Sequence, residues 1–280
     1  MAAITDLDDL INLVTGGGAG APEVVLWSKI NRVAGAAATT PVAGRLYSLW
    51  TYDGQPSAGA APGAVAAPTD ATAGALKQTD PGGGREKWLI SVSAVGLPHG
   101  TLILYDRLLH VSGFDGTNTG AQAVGGAITR NTGGVGNHIW IEIYTATGSS
   151  VTTISASYTD QDGNSGQTTP NAVIGGAAAG RQEQARILPL SLATGDTGVQ
   201  AVASVTLAGS TGTVGDFGVT IARPLLYIPC ATRTGRIHDL VAGYPGICEI
   251  DENACLAWAV APTDTGSIVA CISSANFVEK

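Results

Sequence analysis

The sequence predicts a mainly β protein: an antiparallel β-sandwich or jelly-roll-like body preceded by a short helical and extended N-terminal arm. Three observations carry this. Eight or so short segments alternate apolar and polar residues, and Gly, Asn and Asp sit between them. Glycine makes up 39 of 280 residues without an every-third-residue repeat. The hydrophobic content of 44% comes from Ala, Val, Ile and Leu, with three Phe and one Met, which suits thin, closely approaching sheets.

Taken in order, residues 4–14 (ITDLDDLINLV) place Ile4, Leu7, Leu10, Ile11 and Val14 on one helical stripe, and the glycines at 16–18 end it. So short a helix is marginal alone, so it packs on its own body or docks on a neighbour as an amphipathic arm. Residues 22–33 read as a second helix carrying Trp27. Residues 47–52 (YSLWTY) read as a strand that ends in the turn Asp53-Gly54. From Gln55 to Gly84 the composition is Ala, Gly and Pro, that of a linker or extended arm. The domain reading is therefore an N-terminal region, 1–84, and a β body, 85–280.

Strands are expected over 87–95, 100–111, 138–146, 151–158, 200–207, 213–222, 254–260 and 266–272. In 151–158 one face carries Thr152, Ile154, Ala156 and Tyr158 and the other Thr153, Ser155 and Ser157, the pattern of a sheet with one wet side. In 138–146 both faces carry bulk: Ile139, Ile141 and Ile143 against Trp140, Glu142 and Tyr144. That strand is central, or its aromatic face meets a partner.

Charged residues make up 13% of the chain, against about 25% in an ordinary domain. The surface is then either polar without charge or in contact with other subunits. A net charge of −8 and the lack of a Lys/Arg row argue against nucleic acid as a partner. No run reaches the length of a membrane span, and the acidic start MAAITDLDD lacks the features of a signal peptide, so folding in a reducing cytoplasm is expected. Cys230, Cys248, Cys255 and Cys271 form no Cys-x-x-Cys pair. A Cys248–Cys255 bridge fits by spacing but not by compartment.

Catalytic and metal motifs are weak throughout. Asp160, Asp162 and Asn164 share the odd-position spacing of a calcium loop, but the glycines fall at the wrong positions and Asn171 stands where a bidentate Glu belongs. A hairpin turn explains the same residues. Asp106, Arg107 and His110 suggest acid–base work, a structural ion pair or an interface contact; a regular strand puts Asp106 and His110 on one face and Arg107 on the other. Glu142 has no glycosidase partner legible in sequence. The remaining histidines, His99, His138 and His238, do not stand at zinc-ligand spacing. No Gly-x-Ser-x-Gly elbow or phosphate loop is present. The reading is non-enzymatic, with no cofactor and no metal. Of five tryptophans, Trp140 and Trp258 lie in strand-like runs, whereas Trp27 and Trp50 read as interface anchors in preference to sugar-stacking platforms.

The ordered strings LILYDRLLHVSGFDGTNTGAQAV, NHIWIEIYTATGSS and ISASYTDQDGNSGQTTP, followed by GDFGVTIARPL at 215–225 and ACLAW at 254–258, resemble a set of tailed-bacteriophage virion structural proteins. The resemblance covers roughly residues 85 to 275. It implies a particle building block of the capsid decoration or auxiliary type, located in the virion, with the major capsid protein and further copies of itself as partners and no catalytic residues. A neck or tail component, or a carbohydrate- or receptor-binding module, are the alternatives. On this reading Ile4, Leu7, Leu10, Ile11, Val14, Trp27 and Trp50 are the interface residues.

Overall fold

The computed structural model describes residues 8, 11–12, 15, 22–33, 40–82, 84–97, 99–176, 181–230, 236–239, 248–265 and 270–280. Among the described residues the regular elements with assigned bounds are all strands, and every strand pairing is antiparallel. Six strands close a central barrel: β2 (Leu46–Ser48), β5 (Gly100–Phe114), β7 (His138–Thr145), β11 (Arg186–Leu190), β13 (Asp216–Cys230) and β16 (Leu256–Pro262), in the order β11-β2-β16-β5-β13-β7. One outer sheet runs β14 (Arg236–Asp239), β4 (Lys87–Leu97), β17 (Ala270–Glu279), β1 (Glu23–Val33), β3 (Tyr52–Gln55), with β15 (Cys248–Ile250) also on β4. A second outer sheet runs β10 (Ala172–Ile174), β8 (Thr152–Asp160), β12 (Val199–Leu207), β6 (Gln122–Ala123), with β9 (Gln167–Thr168) on β8.

The alternation of the barrel strands explains this layering. Leu102 and Leu104 of β5, Leu226 and Ile228 of β13, and Trp258 of β16 face the first outer sheet and pack on Trp27, Leu89 and Phe277. Ile139, Ile141 and Ile143 of β7 and Val219 and Ile221 of β13 face the second, packing on Ile154, Tyr158, Val202 and Val205. The opposite side of the same strands fills the barrel with Tyr105, Trp140, Tyr144, Ala222 and Ala257. The bulk on both faces of β7 thus reflects a strand buried on both sides.

The segment 22–33 is strand β1 and not a helix. Its inner side carries Trp27 and Lys29, 2% exposed each, while Val24 and Leu26 point out at 70%. Apolar residues outside and a lysine inside conceal the two-residue period, and Val24, Val25, Ile30 and Val33 favour the strand. Lys29 is held because its ammonium donates to the carbonyls of Tyr52, Pro56 and Ser57 at 3.2, 3.1 and 3.1 Å. Burial lowers its pKa to about 8. The turn expected at Asp53-Gly54 lies inside β3; Gly54, at φ +146°, would put a Cβ 2.0 Å from the Ser28 carbonyl oxygen, so only glycine lets β1 and β3 meet there.

The division at residue 84 does not separate two bodies, since β1 and β3 complete a sheet with β4 and β17, and β2 closes the barrel. Nor is 55–84 a tether. Pro62 accepts the Ser112 N–H at 2.7 Å, Ala66 and His110 exchange backbone hydrogen bonds at 3.0 and 2.9 Å, and Leu76 N–H reaches the Leu256 carbonyl at 2.8 Å. Of the N-terminal stripe, Ile4, Leu7, Leu10 and Val14 lie outside the described residues. Ile11 is described; it is 47% exposed, and its carbonyl accepts the Thr15 N–H at 3.0 Å, the spacing of a helical turn.

Candidate functional site

Two regions stand out chemically: a polar cluster inside the barrel and an uncharged outer sheet face. The cluster is built by a bulge. Along β5, Arg107 pairs with Ala222 and Leu109 with Ile221, so Leu108 is the extra residue. The bulge shifts the alternation, putting Arg107 and His110 on one side, inside the barrel, and Asp106 on the other. The arrangement expected for a regular strand, with Asp106 and His110 together, is therefore not present.

Arg107 is wholly buried and Glu142 is 2% exposed. The guanidinium grips both carboxylate oxygens, one at 2.9 Å and the other closer. It also donates to Tyr105 Oη at 3.2 Å, Tyr144 Oη at 2.5 Å and, through Nε, His110 Nδ1 at 2.9 Å. The Trp50 ring lies 4.6 Å from its central carbon. Glu142 in turn accepts Tyr144 Oη–H at 2.5 Å and Thr220 Oγ1–H at 2.9 Å. Burial opposes the Glu142 charge, but the guanidinium outweighs it and holds the carboxyl at about 2. Burial, with the neighbouring Arg107 charge, pushes the His110 imidazole down to about 3, so it is neutral and presents Nδ1 as an acceptor. Burial pushes the Tyr105 and Tyr144 hydroxyls up, which keeps them protonated. The guanidinium N–H groups and both carboxylate oxygens are thus committed within the network. Above it a cleft of about 350 Å³ is lined by Thr51, Gly59, Tyr144 and Gln184 among others, and Tyr144 is the ionisable group among its described lining residues.

On the other side of β5, Asp106 takes two hydrogen bonds from Arg130 at 2.9 Å and the Cys255 N–H at 2.9 Å. Burial raises its carboxyl pKa against those partners. This is the structural ion pair weighed as one reading of the motif, with Arg130, invisible to local spacing, as partner. At the candidate calcium loop, Asp160 accepts the N–H groups of Asp162 and Asn164 and the Asn164 amide at 2.8–2.9 Å, the bonding of an Asx turn. No group of three or more His, Cys, Asp or Glu suited to a metal occurs among the described residues. All four cysteines are unbridged, including Cys248 and Cys255.

Trp27 and Trp50, expected as interface anchors, are buried at 2% and 1%. Trp27 packs edge-on against Trp258 and Phe277, and Trp50 covers Arg107 and bonds the Ala60 carbonyl through Nε1 at 2.9 Å. Neither offers area to a partner.

The outward side of β1, β17 and β4 does offer area. Val24, Leu26, Ile30, Ile272 and Val95 are 70, 70, 41, 56 and 38% exposed. Register makes them neighbours: Ser28 pairs with Ile272, Ile272 with Val95, Leu26 with Ser274 and Ser274 with Ser93. Across residues 24–30, 270–276 and 91–95 every outward position is apolar, Ser or Asn; Asp53, opposite Ile30 on β3, marks the rim. At the β1 edge this face borders a cleft of about 480 Å³ lined by Leu26, Gln55, Pro56 and Lys77 among others. Sequence alone hid the face because residues 22–33, which contain the whole of β1, read as a helix.

No protein-family model matches the chain, and no curated protein does. Among solved structures it is similar to the infectious bursal disease virus VP2 subviral particle, at 10% identity over 96% of this chain and 85% of that one, with a TM-score of 0.20. It is also similar to the structure of the infectious bursal disease virus Gx strain, at 9% identity over 98% and 88%, with a TM-score of 0.18. At these TM-scores the likeness fixes neither fold nor function.

Proposed function

We propose that the chain is a non-catalytic building block of a virus particle of the tailed-bacteriophage type, bound to the capsid shell as a decoration protein that stabilises it through subunit contacts. The observation that carries this is the ordered set of strings resembling phage virion proteins. They fall on β5, β7, β8, β13 and β16, four of which are barrel strands. The resemblance therefore concerns the centre of the molecule and not an appendage. A charge-poor composition and an uncharged exposed sheet face suit a protein that works by covering and being covered. The Arg107–Glu142 cluster is the most enzyme-like feature, and each member already serves as a partner for another.

In this reading the major capsid protein and further copies of the chain are the partners, and the stripe of Ile4, Leu7, Leu10, Ile11 and Val14 is a contact arm. The deciding measurement is the copy number per purified particle, by quantitative mass spectrometry against the major shell protein. Hundreds of copies support decoration. A dozen or fewer assign the chain to the neck, tail or a vertex, and absence from particles overturns the reading.

A further inference from the structure

We infer that the outward face of the β1–β17–β4 sheet is a self-association surface whose occupant is the same face of a second copy of this chain. The inference rests on the chemistry of the face and stands whether or not the particle reading does.

Charge selects the partner. The chain carries −8 at neutral pH, so two copies repel through most of their surfaces. Among the described side chains, the outward positions of residues 24–30, 91–95 and 270–276 carry no ionisable group, and two copies meet there at the least electrostatic cost. A basic partner would be recognised by carboxylates, which residues 24–30, 91–95 and 270–276 do not present outward. Shape agrees. Ser28, Ser93 and Ser274 separate the exposed Val24, Leu26, Ile30, Ile272 and Val95, and small residues beside larger ones let two sheets interdigitate at about 10 Å. Area agrees too. The exposed fractions of the outward residues amount to roughly 600 Å² per copy, so a pair buries at most about 1,200 Å², the lower edge of the range for specific complexes. The same patch on both copies makes the contact isologous, and the association closes at a dimer. An interface of this size predicts concentration-dependent dimers, not an obligate pair.

The test is sedimentation velocity on the full chain over a concentration series, beside Leu26→Lys/Ile272→Lys and a deletion of residues 2–20. Both lysines point outward, so circular dichroism and thermal melting at low protein concentration, where wild type is monomeric, should match wild type; Ser274→Lys, at the centre of the face, serves as an independent second variant. The expected result is a monomer–dimer equilibrium for wild type and for the deletion, weakened at least tenfold by either set of lysines. A wild type that stays monomeric at every concentration overturns the inference, as do lysine variants that dimerise like wild type. Loss of the dimer on deleting residues 2–20 also overturns it, because the N-terminal segment would then be the occupant.

Discussion

The barrel interior and the outer face of the β1–β17–β4 sheet invert the usual distribution of side chains. Inside, a wholly buried arginine and a nearly buried glutamate are surrounded by two tyrosines, a histidine and a threonine. Outside, five large aliphatic side chains lie among serines. A buried charge is tolerated where every lone pair and proton has a partner, and an exposed apolar face is tolerated where something covers it. The Arg107 guanidinium and the Glu142 carboxylate meet the first condition within the chain. The second asks for a neighbour.

The interior should therefore respond most strongly to losing one partner. Glu142→Ala leaves the Arg107 guanidinium buried and uncompensated, and chemical denaturation should show a loss of about 3–5 kcal/mol. Arg107→Met combined with Glu142→Leu should cost less than the two single changes added together, since neither charge is then left alone. Additive costs would mean that the two side chains stabilise the barrel independently.

Acid should reveal the same network. His110 is held neutral, its pKa lowered from 6.5 to about 3, and Glu142 is held ionised, its pKa lowered from 4.5 to about 2. In both cases the unfolded chain binds more protons than the folded one, so stability rises with pH and is lost on acidification. The histidine contribution falls away from about pH 6.5 towards 3, and the glutamate contribution from about 4.5 towards 2. Each proton taken up only on unfolding gives a slope of about 1.4 kcal/mol per pH unit. In His110→Gln the slope between pH 5 and 6.5 should flatten; an unchanged slope would place the titrating group elsewhere.

The segment 55–84 links the two regions, and a smaller effect tests it. Gly59 packs against the Trp50 ring so closely that a Cβ would sit 2.3 Å from Cε2, and Gly74, at φ +96°, backs onto Gly59. Gly59→Ala should cost about 1–3 kcal/mol by overpacking, although a flexible linker would accept it without change. A melting temperature equal to wild type would return the segment to the status of a tether.

Much of the barrel was legible in the sequence. The strands expected over 100–111, 138–146 and 254–260 correspond to β5, β7 and β16, because each is a run of β-prone residues bounded by turn formers. What was not legible depends on partners distant in sequence. Arg130 cannot be linked to Asp106 by spacing, and the Leu108 bulge that turns Arg107 inward exists only against β13. The Ala/Gly/Pro composition of 55–84 describes what those residues lack and says nothing of Trp50, which their small size admits. The strand β1 was concealed because its solvent side is as apolar as its core side, the same property that makes the face distinctive.

The smallest expected effect separates the two sides of β1 itself. Leu26 and Trp27 are adjacent, 70% and 2% exposed. Trp27→Ala empties a site packed by Trp258 and Phe277 and donating to the Lys77 carbonyl at 2.7 Å, a loss of about 3–5 kcal/mol. Leu26→Ser removes a side chain that the single chain leaves in water, so the monomer should stay within about 0.5 kcal/mol of wild type. Measured at low protein concentration, equal unfolding midpoints for wild type and Leu26→Ser confirm that the residue does nothing for its own fold. At high concentration the two should part, because a dimer that buries Leu26 stabilises the folded state of wild type by mass action and not that of the variant. Midpoints that remain equal at both concentrations would leave the exposed face without a consequence. A gap that opens only with concentration would assign Leu26 to the contact between copies.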